Sequence, residues 1–512
     1  MNSLAVSATE TGLLSRAVAF ARRRPGTVLG WVLGLHLVVW SVLPMLVCPN
    51  LQLDLVEDLA LGKEWQLGYW KHPPLPWWLA DLVHRLTGQI DSVYVLGPLA
   101  AVLCLYFVWR FGREIADPFI ALLAVLSLEG LHFFNYSAVK FAHDQAQLPF
   151  WALTGWFFYR ALSGKRTLDW LLAGAFLALA FWSKYAAFAL AATIGLVLLI
   201  DPEARPAWRT RGPYVMAAAF LVVLAPNIGW VVTHGFQPIL YVDERAKEAA
   251  HWYQVLGYPL RWTASQAFFL LPTAGLVALL YAGLKPERRP LGSAFARRYI
   301  AALALGPFLF TTVVAMLTGR LPVAMWGYPL WSFAPLAFLM WFAPDLEDIG
   351  LRRFAAAFAI VFLVLPMAYV ADEKLEPLVR DRQKATHFPG RQMAAVITGV
   401  WRRETGTPLH YVAGAPLPGG AGEFAANNLA VYSADHPHVI VHGDPALSPW
   451  IDMTDVHESG AVLVWQGKPD IPPALKARFP RAELQKSLVL PQLTVVPNSP
   501  AVVHYAILPP AR

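Results

Sequence analysis

Cysteine is almost absent from this sequence, and charged residues are scarce. The 512 residues include only Cys48 and Cys104, which excludes a disulfide framework and a cysteine-based metal site. Charged residues make up 15% of the chain, whereas soluble globular proteins carry about 25%. Internal repeats and low-complexity segments are also lacking. An ordinary soluble enzyme and a repeat protein are therefore both excluded.

Hydrophobic residues are abundant instead. They make up 57% of the chain, with 21 Trp and 29 Phe, which is typical of membrane proteins with aromatic belts. The net charge of +7 would suit a nucleic-acid-binding protein if the basic residues formed one patch. They fall in short clusters between apolar runs, so membrane topology explains them better. We expect membrane lipids, and no nucleic acid, among the partners.

About eleven apolar runs are predicted to be transmembrane helices, which need about 20 mostly apolar residues. The runs lie at 27–48, 92–110, 118–135, 146–162, 168–183, 185–200, 213–233, 260–284, 299–318, 327–343 and 354–371. The first run is too long for a signal peptide and lacks a cleavage site of small residues. It is therefore predicted to remain as an anchor.

Basic residues predict the orientation of these spans, because Lys and Arg collect in cytoplasmic loops. With the amino terminus in the cytoplasm, one set of loops carries the basic clusters: Arg22–Arg24, Arg110, Arg113, Lys165, Arg166, Arg205, Arg209, Arg211, Lys285, Arg288, Arg289, Arg297, Arg298, Arg352 and Arg353. The alternate loops hold fewer basic residues. The first outer loop, at about 49–91, and the carboxyl terminus then lie outside.

The character of the chain changes after about residue 371. Short β-rich runs alternate with Pro and Gly turns, at 409–413, 438–442, 461–465 and 493–496, and helices are predicted at 390–404 and 473–485. The predicted fold is an all-α polytopic membrane domain at 1–371. A soluble, extracytoplasmic α/β domain follows at 372–512.

The first outer loop carries three carboxylates on one predicted helix face. A helix is predicted from Asp54 to Lys63, with Asp54, Glu57 and Asp58 at helical spacing, and such a helix would lie along the membrane interface. The plainer interpretation is a solvated helix face. A Pro-rich segment with Trp77 and Trp78 then leads back into the membrane.

Two further polar groups stand at the outer ends of spans, where charge is costly unless paired or functional. One is Lys140 with His143 and Asp144, and the other is Lys184 in a tight turn. Snorkelling and interfacial anchoring are the plainer interpretations. A divalent metal held by His72 and His143 is compatible with the residue types, but no metal-ligand spacing supports it, so no metal ligand is assigned. These residues are compatible with a transporter, a channel or a lipid-linked transferase.

Several segments, taken in order, resemble bacterial members of glycosyltransferase family 39. They include Asp54, the Gly-Tyr-Trp-Lys-His-Pro-Pro-Leu stretch at 68–75, and 144–153, 181–185, 226–236 and 320–326. The family belongs to the GT-C superfamily and is related to protein O-mannosyltransferases and the lipid A aminoarabinose transferase. The sequence departs from the family pattern at Leu55, at Lys71 and at Gln145-Ala146, where the family usually has other residues.

The resemblance implies an inverting transfer of a sugar from a polyprenyl-phosphate donor, on the periplasmic side of a bacterial inner membrane. The implied acceptor is an envelope glycolipid such as lipid A or its core. Asp54 would act as the base, assisted by His143 and Asp144. The donor phosphate would be bound by Lys71, His72, Lys184 and Arg245, and a substrate groove would be lined by Glu57, Tyr69, Trp70, Lys140 and Trp326.

Two alternatives stand beside this hypothesis. A transporter or flippase would have broken helices in repeated halves and charges near the bilayer midplane. A non-catalytic member of the same fold would bind envelope components through its last domain.

Overall fold

The computed structural model describes residues 12–281, 290–344, 346–416 and 423–511, with only the backbone at 242–244. The basic residues Lys285, Arg288 and Arg289, and the last residues of the predicted span at 260–284, lie outside these ranges.

Helices form nearly all of the described chain before residue 380. The first eleven are α1 Leu13–Arg23, α2 Pro25–Val47, α3 Leu53–Gly62, α4 Leu75–Thr87, α5 Leu96–Ile115, α6 Pro118–Ser127, α7 His143–Ala146, α8 Leu148–Gly164, α9 Thr167–Ser183, α10 Phe188–Ile200 and α11 Gly212–Thr233. The next six are α12 Gln237–Arg245, α13 Trp252–Leu279, α14 Ala294–Thr318, α15 Ala334–Trp341, α16 Asp348–Lys374 and α17 Glu376–Val379. A two-stranded ribbon of β1 Lys247–Glu248 and β2 Arg320–Leu321 joins two outer segments.

Six helices in the described part of the chain are long and apolar enough to cross a membrane, and the chain is a multi-pass membrane protein. A seventh span would be the pair Pro118–Gly130 and His132–Lys140, which is bent by 89°. Thr167–Ser183 and Tyr185–Ile200 are apolar but shorter. The total of about eleven spans stays a prediction.

Two predicted spans differ from straight helices. The run at 118–135 leaves the α-helix after Ser127, and the Asn135 side chain donates to the Glu129 carbonyl oxygen at 2.8 Å. The run at 327–343 is helical only over α15, because Pro329 and Pro335 cannot donate backbone hydrogen bonds and Pro335 starts the helix. Apolar composition predicted both runs but not these breaks.

The loops that carry the basic clusters meet at one end of the helices. Arg22 lies 3.7 Å from Asp348, and Arg298 pairs with Asp201 at 2.7 Å. Arg160 lies 3.5 Å from Glu114. Because α2 begins at this end and reaches α3 at the other, the basic residues and the first outer loop lie on opposite sides of the bundle. This arrangement agrees with the predicted orientation.

The last part of the chain is an α/β unit. Its helices are α18 Gly390–Thr405, α19 Phe424–Tyr432, α20 Met453–Ser459 and α21 Pro473–Arg478, and its strands are β3 Tyr411–Gly414, β4 His438–Ile440, β5 Ala461–Trp465, β6 Glu483–Leu484, β7 Leu488–Leu490 and β8 Ala501–Leu508. The strand order is β4-β3-β5-β8-β6, with β7 beside β8. Strands β3, β4 and β5 are parallel, and β8 runs antiparallel to β5.

Most of the predicted elements of this unit are present, and two were wrong. The run at 493–496 forms no strand, because Pro491, Pro497 and Pro500 flank it and cannot donate to a ladder. The helix predicted at 473–485 ends at Arg478, just before the Phe479-Pro480 pair, which disfavours helix.

The first outer loop and the α/β unit share one hydrophobic core. Leu55 and Trp77 from the loop pack in the same buried cluster as Trp401 and Val412 from the unit. Lys63 donates to the His436 and Pro437 carbonyl oxygens, both at 2.7 Å. The unit is thereby fixed against the loop that carries the predicted site.

Candidate active site

Helix α3 presents the carboxylates of the first outer loop from a closely packed position. A Cβ on Gly62 would lie 2.2 Å from the Trp77 carbonyl oxygen, so glycine lets α3 approach α4. Asp54 stands in the first turn of α3, where the helix dipole favours a carboxylate. Asp58 is buried, while Asp54 and Glu57 are half-buried.

The Asp54 carboxylate makes no hydrogen bond or ion pair with any described residue. Burial raises the pKa of this carboxyl above its usual range. Lys71, Lys140 and Lys184 surround it and oppose the rise, and Asp144 adds to it. The sequence predicted these groups as separate clusters, and the structure brings them together.

Lys71 is paired with a carboxylate of α3. Its Nζ lies 2.6 Å from Glu57 Oε2 and 5.7 Å from the centre of the Trp70 ring. Burial alone would lower the pKa of Lys71, but nearby groups, Glu57 first among them, raise it. The ammonium is therefore charged and already partly neutralised.

Lys184 is paired in the same way. Its Nζ donates to Asp144 Oδ1 at 2.6 Å and lies 5.8 Å from the centre of the Trp326 ring. Both members of this pair are less than a tenth exposed. Burial raises the pKa of Asp144, although Lys184 opposes the shift. Trp326, predicted for the substrate groove, thus lies at this end of the cluster.

His72 and His143 stack on each other with ring centres 4.0 Å apart. Nε2 of His143 donates to the Pro73 carbonyl oxygen at 3.1 Å. Burial and nearby positive charges lower the pKa of both imidazoles, so both are neutral at physiological pH. Within the described ranges, no group of three or more His, Cys, Asp or Glu side chains could hold a metal ion.

Two cations near the site have no carboxylate partner among the described residues: Lys140 and Arg245. Lys140 acts electrostatically on Asp54, and Arg245, exposed at the end of α12, acts on His72. They are more available to an incoming anion than Lys71 and Lys184.

Tyr69 and Trp70 have different positions, although the sequence analysis predicted both for the substrate groove. Tyr69 is fully buried, and its hydroxyl donates to the Leu61 carbonyl oxygen at 2.9 Å. Its ring packs against Trp77 and lines no surface. Trp70 is half-buried and contacts Tyr241 and His442, with ring centres 5.0 and 5.1 Å away.

Sequence reasoning missed Tyr241, Glu423 and His442. Glu423 lies 2.6 Å from His442 and acts electrostatically on Glu57 and Lys71. No local pattern connects these residues with Trp70, because they lie hundreds of residues away or in a separate outer segment.

Sequence reasoning also missed a buried polar cluster between the helices. His36 Nδ1 donates to Glu129 Oε1 at 2.8 Å, and Asn135 donates to the Glu129 backbone. His36 and Glu129 are both almost fully buried. A signal did exist, because an acid inside an apolar run marks a functional or paired position.

The chain is similar to known proteins in part of its sequence and in its fold. The family described as dolichyl-phosphate-mannose-protein mannosyltransferase matches residues 71–230. The lipid A galacturonosyltransferase RgtD of Rhizobium johnstonii is 28% identical over 199 residues, 38% of this chain. The matched region spans about 40% of that relative's length.

Two crystal structures of ArnT from Cupriavidus metallidurans share the fold. The structure bound to undecaprenyl phosphate has a TM-score of 0.59 at 13% identity, covering 93% of this chain and 98% of that one. The apo structure has a TM-score of 0.58 at 13% identity, covering 94% and 98%. The predicted fold class and the family resemblance are thereby confirmed, since the chain shares the fold of ArnT and part of its sequence is similar to the mannosyltransferase family and to the galacturonosyltransferase.

Proposed function

We propose that this protein transfers a sugar from a polyprenyl-phosphate donor to a lipid A-type acceptor, on the periplasmic face of a bacterial inner membrane. The observation that carries the proposal is the Asp54 carboxylate, which is half-buried, unpaired among the described residues and surrounded by lysines. The proposed acceptor follows the lipid A specificity of the galacturonosyltransferase relative, and the proposed donor follows the undecaprenyl phosphate bound in the ArnT structure.

In the proposed step, an acceptor hydroxyl oxygen bonds to the anomeric carbon of the donor sugar. The bond between that carbon and the phosphate oxygen breaks, and polyprenyl phosphate leaves with the bonding electrons. Asp54 takes the hydroxyl proton. A carboxylate whose pKa is raised by burial is a better base than an exposed one, and it has no internal partner to displace. Attack from the face opposite the phosphate inverts the anomeric centre.

The leaving phosphate needs positive charge more than it needs a proton donor. Lys140 and Arg245 have no carboxylate partner in the described chain, so they supply that charge at the lowest cost. Lys71 and Lys184 contribute only in part, because Glu57 and Asp144 already bind them. The neutral His72 and His143 suit hydrogen bonds to the phosphate or acceptor.

The transporter alternative is less well supported by these residues. The charged groups around Asp54 lie at the outer ends of the helices, whereas a transport path would place them near the midplane. A transporter would also have broken helices in both of its repeated halves, whereas the described chain has one bent helix pair of spanning length.

The test is mass spectrometry of lipids from a deletion strain that expresses either wild-type protein or Asp54→Asn. We expect the wild type to restore a sugar on lipid A and Asp54→Asn to leave it absent at equal protein level. Asp91→Asn is the matched control, because Asp91 is an exposed carboxylate of the same loop. Full restoration by Asp54→Asn would refute the catalytic role, and unchanged lipids in the deletion strain would refute the transferase.

A further inference from the structure

A second group of polar side chains lies where the α/β unit meets the first outer loop. Trp70 contacts the rings of Tyr241 and His442, and His442 lies 2.6 Å from Glu423. The Glu423 side chain is 4% exposed and that of His442 is 21% exposed. Trp70 Nε1 is buried and has no hydrogen-bond partner. The group combines aromatic faces with a buried carboxylate and an unused donor.

The topology of the sheet places this group at its carboxyl edge. Glu423 follows β3 in the chain and directly precedes α19, and His442 follows β4. Strand β3 lies between β4 and β5, its two parallel neighbours, so the chain order reverses at β3. Ligands of open α/β sheets bind outside the carboxyl ends of the strands, at such a reversal. The unit directs this edge toward Trp70.

The backbone at His442 supports a role beyond packing. His442 has φ +53°, and Gly443 follows with φ +64°, so two successive residues adopt the left-handed conformation. Residues other than glycine rarely adopt it, and such conformations collect at binding and active sites. The turn directs the imidazole toward Trp70.

The charge around this group decides which ligand it suits. Among the described residues, Glu423 pairs with His442 and forms no ion pair with a Lys or Arg. Its carboxylate would repel a phosphate placed against this group. Sugar hydroxyls can donate to a carboxylate, and the apolar C–H face of a sugar ring can stack on an aromatic face.

We propose that Trp70, Tyr241, Glu423 and His442 form a subsite for a sugar ring of the acceptor. This inference rests on the proposed function. The ring belongs to the acceptor because the donor sugar is bonded directly to its phosphate, which the Glu423 carboxylate disfavours. The core sugars of an acceptor glycolipid can present a ring that carries no phosphate.

The experiment measures equilibrium binding of lipid A that carries its core sugars, of phosphatidic acid and of undecaprenyl phosphate, each in mixed detergent micelles, to the full-length protein. The variants are Glu423→Gln, which keeps shape, and His442→Asn, which tolerates the left-handed backbone. We expect both to raise the Kd for lipid A at least about tenfold, the loss of one charge-assisted hydrogen bond. Binding of phosphatidic acid and undecaprenyl phosphate should not change.

His438→Gln is the matched control. His438 stands at the start of β4 and lies 2.9 Å from Glu64, so it joins the same strand to the same outer loop. If His438→Gln and His442→Asn lose the same amount of lipid A affinity, the His438–Glu64 and His442–Glu423 pairs only hold the α/β unit in place. That result would overturn the subsite. Unchanged lipid A affinity, or weaker phosphatidic acid or undecaprenyl phosphate binding, would also overturn it. Binding needs no turnover, so these outcomes are independent of the Asp54 transfer test.

Discussion

Two groups of charged and polar side chains lie among the helices, and they differ in how completely their members are paired. In the buried cluster, the Glu129 carboxylate accepts from His36 while Asn135 binds the Glu129 backbone. In the outer cluster, Asp54 and Lys140 have no partner among the described residues. A paired group stabilises the fold, whereas an unpaired charge is costly and persists where a ligand completes it. In this protein, therefore, the paired charges stabilise the fold and the unpaired charges are the candidates for binding a ligand.

Two variants, Asp54→Asn from the outer cluster and Glu129→Ala from the buried cluster, test this comparison and should have the largest effects. Asp54→Asn should lower the transfer rate about 10²–10⁴-fold, the usual contribution of a general base, and should not lower thermal stability, because it removes a charge whose pKa burial raises. Glu129→Ala should destabilise by about 1–3 kcal/mol, because it removes the acceptor of His36. Transfer assays and thermal unfolding in detergent check both. Destabilisation by Asp54→Asn as large as that by Glu129→Ala would break the comparison.

Lys184 and Lys140, which both act on Asp54, should also differ in their effects. Lys184→Ala leaves the buried Asp144 unpaired and should cost about 3 kcal/mol of stability, within the range for broken buried pairs. Lys140→Ala breaks no ion pair and should change stability by less than about 0.5 kcal/mol. It should still raise the donor KM about tenfold, by removing a cation that binds phosphate. An unchanged KM in Lys140→Ala would assign phosphate binding to the paired lysines instead.

The pH dependence of transfer sharpens the role of Asp54. A base must be deprotonated, so the rate should fall on the acid side, through a pKa above the ordinary aspartate value of about 3.9. Lys140→Met removes a charge that lowers the pKa of Asp54, so the acid limb should move to higher pH. Lys63→Met is the control, because Lys63 binds backbone carbonyls away from Asp54. If the acid limb of the pH–rate profile lies at the same pH in Lys140→Met as in the wild type, Asp54 is not the titrating group.

Lys63 extends the comparison to a buried cation whose partners are uncharged, with the smallest expected effect. Burial lowers the pKa of Lys63 to about 8, below the ordinary lysine value of about 10.4. Between these values the unfolded chain binds more protons than the folded chain, so the free energy of unfolding should rise with pH. The rise should be within about 1 kcal/mol, because the side chain is partly solvated. The thermal midpoint of the wild type should therefore be higher at pH 10 than at pH 7.5 by this contribution, and Lys63→Met should lack it.

Much of the fold could be predicted because the signals are local. Helix α3 was predicted at 54–63, α18 at 390–404 and β5 at 461–465, and each lies within about one residue of that position. Helical spacing and β-rich runs between turns act over a few residues. The break after Ser127 could not be read from hydropathy, because a side-chain hydrogen bond to Glu129 competes with the helix.

The residues of the candidate site could be predicted better than the ion pairs among them. The resemblance named Asp54, Asp144 and Lys184, and the structure brings them together at one outer face. No local pattern indicates that Lys71 is bound by Glu57 while Lys140 has no partner in the described chain. Nor could it separate Tyr69, which is fully buried, from its neighbour Trp70.

The sequence by itself determined the class of protein, the sidedness of its charges and most of its local elements, because apolar runs, basic clusters and motif spacing need no tertiary information. Only the tertiary structure decided that Asp54 has no partner among the described residues and that His442, paired with Glu423, reaches Trp70. Trp70 and His442 lie more than 350 positions apart, and the energy of such a contact depends on distance and burial, which no local pattern encodes.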